Sequence, residues 1–232
     1  MATLDDFFRE QSTISVRGRT FYVRAMSDFD LQAREEFVLK QQAKLRRELN
    51  DKNSDAYLTH LDWLDEANDE TLLATAVSFE SVSLRQKSVA EIPEPIIPFP
   101  DDADDAEKQT IIAEREQAYK DTLAKRQAWA DEQTEAKRQE LAAKTPDELR
   151  KLAKRAVIAM QLWTLRSRLT DAYTIYCAVY TDEAFSKRYA ETPEKSLEIP
   201  AEWRVQLVNA YYEEMERVSM QELKYFLSTD GS

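Results

Sequence analysis

Glycine is nearly absent: the 232-residue sequence holds two, Gly18 and Gly231. Glycine supplies the positive-φ positions of tight turns, so its scarcity argues against a many-turned β fold and for a mainly helical one. Cysteine occurs once, as Cys177, which excludes an internal disulfide. Its apolar setting, "YTIYCAVY", predicts a buried thiol, because a reactive one needs exposure and nearby positive charge. Histidine also occurs once, as His60. Nucleophilic serine or cysteine chemistry needs a base, usually histidine, and no glycine-framed serine elbow is present. Phosphate-cradling loops need glycines that this chain lacks. Structural zinc needs several Cys and His, and a helical di-iron site needs two Glu-x-x-His pairs.

Long apolar runs are missing too. No stretch approaches the ~18 residues of a membrane span. The opening "MATLDDFFRE" is acidic and has no apolar signal-peptide core. Excess positive charge is likewise absent: Lys and Arg number 32 against 44 Asp and Glu, a net charge of −12. Nucleic acid and anionic membrane surfaces are therefore disfavoured as direct partners. A soluble protein in the cytoplasm of its cell is expected.

What remains is charged helix and one exception. Residues 14 to 26, "ISVRGRTFYVRAM", alternate apolar and polar side chains around Gly18, which predicts a β-hairpin. With Gly18 and Arg19 as the two loop residues of a type II′ turn, Val16 faces Phe21 and Ile14 faces Val23. Those four apolar residues share one face. A lone hairpin is marginal in water, so the face is expected to be covered by the chain's own helices, chiefly the flanking ones. The open strand edge is kept for another chain.

Helices are expected elsewhere. Residues 3 to 10 can form a short one. Ser27 is the cap of the next, with Leu31, Phe37 or Val38, Leu45 and Leu49 as its stripe. A second runs from Asp55 to Glu66, and a third starts near Asp69. Four prolines in residues 93 to 100 force an extended, polyproline-like path, followed by aspartates. A long charged helix spans about 104 to 143, either laid on the body by one thin stripe or projecting as an arm. "TPDE" at 145 to 148 opens the most apolar helix, with Leu149, Leu152, Ala156, Met160 and Trp163 in one stripe that Val157, Leu162, Leu169, Tyr173 and Tyr176 widen. Residues 190 to 200 read as a loop. A last helix follows from Pro200 with Trp203, Leu207, Val208 and Tyr211 on one side, and Ser219 with Glu222 marks a restart. The expected fold is mainly α: a helical bundle with one N-terminal hairpin and a long charged helical insertion. Its parts are 1 to 90, the insertion 91 to 144, and 145 to 232 packing with 1 to 90 as one core.

Two acidic groupings carry no site. His60 and Asp62 in "HLDWLDE" lie about 200° apart around a helix and cannot face one metal with Asp65. Glu213, Glu214 and Glu216 read as a solvated helix face. No catalytic residue, cofactor or metal is expected, and the function is expected to be interaction. The candidate partner-binding residues are Ile14, Val16, Phe21, Val23, Trp203, Tyr211 and Tyr212.

The ends of the chain bring a resemblance. "ISVRGRTFYVRAMSDFDLQARE" is similar to the start of tail assembly chaperones of long-tailed bacteriophages, which open with a strand pair around a Gly, then an Arg before a helix cap. Here those are Gly18, Arg24 and Ser27. "IPAEWRVQLVNAYYEEMERVSMQELKYF" resembles their closing Trp-bearing helix and Tyr-rich stretch. The segment 91 to 143 is a large insertion against that pattern. The resemblance implies a protein that binds the long helical tape measure protein, or other phage tail proteins, and keeps it soluble in the host cytoplasm until the tube assembles. Homo-oligomerisation is compatible with it. The alternatives are a structural component of the virion (neck, tail or capsid-associated) and a cellular interaction adaptor.

Overall fold

The computed structural model describes residues 12 to 98 and 105 to 229. The short helix expected at 3 to 10 and the aspartates at 101 to 104 lie outside them. The chain is mainly α with a small antiparallel sheet. In order come β1 (Ser12–Val16), β2 (Arg19–Val23), α1 (Asp28–Asn50), α2 (Asp55–His60), α3 (Trp63–Glu66), α4 (Asp69–Glu91), α5 (Asp105–Ala142), α6 (Pro146–Ala178), β3 (Val179–Tyr180), α7 (Pro193–Leu197) and α8 (Ala201–Thr229). The chain divides into two compact units, Met1–Arg47 with Leu162–Ser232, and Glu48–Gln161. The division falls inside α1 and α6, so the expected boundaries at 91 and 144 lie within the second unit.

The first unit holds the sheet. The hairpin forms with Ile14 opposite Phe21, Ser12 opposite Val23 and Val16 opposite Arg19. Its two-residue loop is Arg17-Gly18, one position earlier than expected, and both residues have positive φ (50° and 75°). That is the pattern of a type I′ turn, not II′. Moving the loop by one residue changes the sum of paired residue numbers by two, which preserves its parity. The same side chains therefore stay on the same face, and Ile14, Val16, Phe21 and Val23 are all buried.

A third strand escaped the sequence reading. Residues Val179 and Tyr180 leave the α6 helix and pair with Val23 and Tyr22. The apolar run "CAVY" carries helix and strand preferences alike, and only the β2 edge selects strand here. The face is covered by Ile175, Ala178 and Val179 and by Leu207, Val208 and Tyr211 of α8. These are the chain's own residues but not the flanking segments, since the covering helix lies about 190 residues downstream of β1. Tyr189 closes on Phe21 edge to face, centroids 5.0 Å apart.

In α1, Val38 and Leu49 are buried while Leu31 is exposed. Helix α8 runs unbroken through Ser219 to Thr229, so the expected restart does not occur. Capping-box spacing marks a helix start only where the preceding residue leaves the helix, and no Gly or Pro forces that here. The expected loop at 190 to 200 contains α7, whose cap Thr192 accepts from the Lys195 N–H (3.2 Å).

The second unit is built on caps and one helix pair. Ser54 caps α2, accepting from the Tyr57 N–H at 3.0 Å. The helix expected over 55 to 66 breaks at Leu61 and Asp62. Both the Leu61 and Asp62 N–H groups turn to the Tyr57 carbonyl (2.8 and 3.1 Å), and the Trp63 indole N–H satisfies the His60 carbonyl (3.0 Å). Asn68 caps α4 through the Thr71 N–H (2.9 Å). Helices α4 and α5 pack along one another. Helix α5 buries little, with Thr122, Ala130 and Leu141, and leaves Ile112, Tyr119 and Leu123 exposed. The capping box at the start of α6 forms as expected: Thr145 N–H and Oγ donate to Glu148 at 2.9 Å each. The stripe expected along α6 is not continuous. Leu149 and Ala156 are buried, and so are Val157, Leu162 and Leu169 of its widening, but Met160 and Trp163 are exposed. Helix α6 serves both units, and each selects its own face.

Candidate functional site

Three residues on which the family resemblance rests have defined structural jobs in the first unit. Gly18 holds the second positive-φ position of the hairpin loop. Arg24 follows β2 and joins three elements. Its guanidinium meets Asp30 of α1 with Nη1 to Oδ2 at 3.0 Å and Nη2 to Oδ1 at 3.4 Å, and Nε donates to Tyr180 Oη of β3 at 3.0 Å. Its backbone N–H donates to the Ala178 carbonyl at 3.1 Å. Ser27 caps α1, accepting from the Asp30 N–H at 3.2 Å while its own Oγ donates back to Asp30 Oδ2 at 2.8 Å. Burial acts to raise the Asp30 pKa, but the hydrogen bonds from Arg24 and Ser27 outweigh it and hold the carboxyl below its ordinary range.

The hairpin tip is fixed to α8. Arg17 pairs with Glu202 and donates from Nε to Gln206 Oε1 at 2.9 Å. The guanidinium carbons of Arg17 and Arg19 lie 5.4 and 5.5 Å from the Trp203 ring centroid. At the other end, the Met26 N–H donates to Tyr211 Oη at 3.3 Å, and Tyr211 meets Tyr212 edge to face.

These contacts sort the seven candidate partner-binding residues. Ile14, Val16, Phe21, Val23 and Tyr211 are buried in the unit's own core, with Val23 fully inaccessible. They hold the fold together and present no free surface. Trp203 is half-buried under the two arginines. Tyr212 is 47% exposed and remains available. The sheet order leaves β1 at one edge, with Thr13 and Ser15 exposed. Two arginines of this unit were not singled out by sequence reasoning. Arg204 is buried, and its Nη1 donates to the Leu197 and Ile199 carbonyls at 2.9 Å each, fixing the turn into α8. Arg34 is half-buried on α1. Isolated arginines in a charged helical sequence carry no signal of burial.

In the second unit, Asp65 accepts from Lys154 Nζ at 2.6 Å and from Tyr57 Oη at 2.9 Å, so it serves the helix packing. The Lys154 hydrogen bond holds the Asp65 carboxyl below its ordinary range. Residues 92 to 98 form a strap on α5. Arg126 donates from Nε to the Ile92 carbonyl (2.8 Å), and Arg115 donates to the Ile97 carbonyl (2.6 and 3.1 Å). A hollow of about 360 Å³ lies between strap and helix, bordered by Ile96, Ile97 and Tyr119. Among the described residues, no group of three His, Cys, Asp or Glu side chains converges as a metal site requires. No helix among them is long and apolar enough to cross a membrane. Cys177 is buried, and burial pushes its thiol up.

Compared with protein-family models, curated proteins and solved structures, the chain matches none.

Proposed function

We propose that this chain is a non-enzymatic tail assembly chaperone of a long-tailed bacteriophage. It binds the tape measure protein in the host cytoplasm and keeps it soluble during tail assembly. One observation supports this above the rest. The two segments that resemble the family, separated by more than 160 residues of sequence, pack on each other in one unit. Ile14, Val16, Phe21 and Val23 of the first form a single core with Leu207, Val208 and Tyr211 of the second. The two segments that carry the resemblance thus build one folded object in this chain. The net charge of −12 suits a protein that must hold an aggregation-prone partner in solution. Exposed apolar residues on α5 suit docking of a helix.

Co-expression with the tape measure protein encoded in the same genome tests the proposal. The expected result is a higher soluble yield and co-purification. Unchanged solubility with no co-purification would sink it. A fixed copy number of the chain in purified virions would favour a structural component instead.

A further inference from the structure

Asp30 and Arg34 stand one turn apart on α1, at the spacing of an intrahelical ion pair. They do not pair. Both oxygens of Asp30 are taken by Arg24 and Ser27. The neighbouring Glu35 pairs with Arg166 at 2.6 Å. Arg34 is left with hydroxyls: its Nη1 reaches Thr174 Oγ1 at 3.5 Å and Tyr212 Oη at 3.4 Å, both at the outer limit of a hydrogen bond. Its Nε is buried with no partner among the described residues. A half-buried guanidinium without a counter-charge is unfavourable, and the chain has 44 acidic residues from which one could have been supplied.

We propose that Arg34 and the Tyr212 hydroxyl form a carboxylate-binding site, and that its occupant is an Asp or Glu side chain of a protein partner. The Nη groups would donate to the carboxylate oxygens, and Tyr212 Oη, now accepting only at long range, would turn its proton to the same anion. The rim argues for a protein occupant. Tyr212, which the Arg34 Nη1 reaches, is 47% exposed and offers apolar ring area to the rest of a side chain and its neighbours. The proposed function enters here only in naming the partner as the tape measure protein.

The test uses the full chain and two probes, the acetylated amides of glutamate and of glutamine. Arg34 Nε–Hε is followed by NMR, its peak identified by its loss in Arg34→Gln. The glutamate probe is expected to shift that peak saturably and the glutamine probe to leave it in place. Tyr212→Phe is expected to weaken the glutamate response roughly tenfold, the loss of one hydrogen bond to a charged group. No shift, or equal shifts from both probes, overturns the site. Inorganic phosphate is the third arm: saturation at lower concentration than the glutamate probe overturns the assignment to a carboxylate. In co-expression, Arg34→Gln is expected to lower recovery of the tape measure protein several-fold, and undiminished recovery overturns the partner role. A chain that binds the glutamate probe but never the tape measure protein keeps the site and refutes the chaperone reading.

Discussion

Arg24 and Asp30 face each other as a fork on a carboxylate, 3.0 and 3.4 Å across its two arms, with the Asp30 side chain only 16% exposed. The pair ties the end of β2 to the first turn of α1, and Tyr180 Oη on Arg24 Nε adds β3. Strand, helix and edge strand are thereby fixed by one guanidinium.

Removing that guanidinium leaves a mostly buried carboxylate without its partner. Arg24→Ala is expected to destabilise the first unit by about 2–3 kcal/mol at pH 7. The pH dependence has a definite sign. Asp30 has a depressed pKa in the folded chain, so its contribution is present above the ordinary carboxylate value. It is lost as pH falls through the depressed one. Urea titrations of the wild type and Arg24→Ala should therefore differ at pH 7 and converge in strong acid. A difference independent of pH would refute the ion-pair account.

The turn makes a sharper claim about Gly18. An added Cβ there meets nothing within 4 Å, so any cost of substitution comes from the backbone alone. At φ 75° a β-branched residue is strained, and Gly18→Val is expected to cost about 1–2 kcal/mol. Thermal melts should show a fall of roughly 2–4 °C per kcal/mol for a chain this long. Arg17→Asn supplies the Asn-Gly pair that type I′ turns favour, but removes the contacts to Glu202 and Trp203. Those contacts are exposed, so the two effects should nearly cancel and leave the melting temperature within about 2 °C of wild type.

Much of this was readable from sequence, and the failures have a common cause. Thr145-Pro146-Asp147-Glu148 and Ser27 are local signals, because a cap is satisfied within four residues. The face of the hairpin was readable for the same reason, since period-two alternation survives a shift in turn position. What was not readable depends on residues far apart. Val179 and Tyr180 become strand only because Tyr22 and Val23 offer an edge. The break between α2 and α3 accompanies two N–H groups sharing the Tyr57 carbonyl and one indole reaching the His60 carbonyl. Five of the seven expected partner-binding residues are buried, because apolar and aromatic residues in register satisfy a core as readily as a partner. Arg34 gained meaning only when its reach to Thr174 and Tyr212 was seen.

The core of the first unit should behave as a core. Leu207→Ala removes a fully buried side chain from the cover over the hairpin, and a loss of about 2–5 kcal/mol is expected. Tyr212→Ala, on the same helix but exposed, should stay within about 0.5 kcal/mol of wild type. Chemical denaturation of both variants checks the contrast. Similar losses would mean that Tyr212 is covered in solution, as by a second copy of the chain.

In the second unit the strap gives a prediction that does not depend on global stability. Residues 93 to 98 carry no helix or strand, and Ile96 is 95% exposed. What keeps the strap on α5 is a few hydrogen bonds, chiefly Arg126 to the Ile92 carbonyl and Glu94, and Arg115 to the Ile97 carbonyl. Arg126 is the better anchored, with its side chain 11% exposed. Arg126→Ala removes the anchor next to the end of α4 and leaves the Ile92 carbonyl to water. Local opening of the strap should become more frequent while α4 and α5 stay packed. Limited proteolysis with a protease that cuts after glutamate should then cleave at Glu91 or Glu94 several-fold faster than in the wild type. The thermal midpoint should move by less than about 3 °C, as expected for the loss of about 1 kcal/mol of hydrogen bonding to a carbonyl that water then reaches. Equal cleavage rates would show that Arg115 alone holds the strap, and Arg115→Ala would then be the variant that releases it.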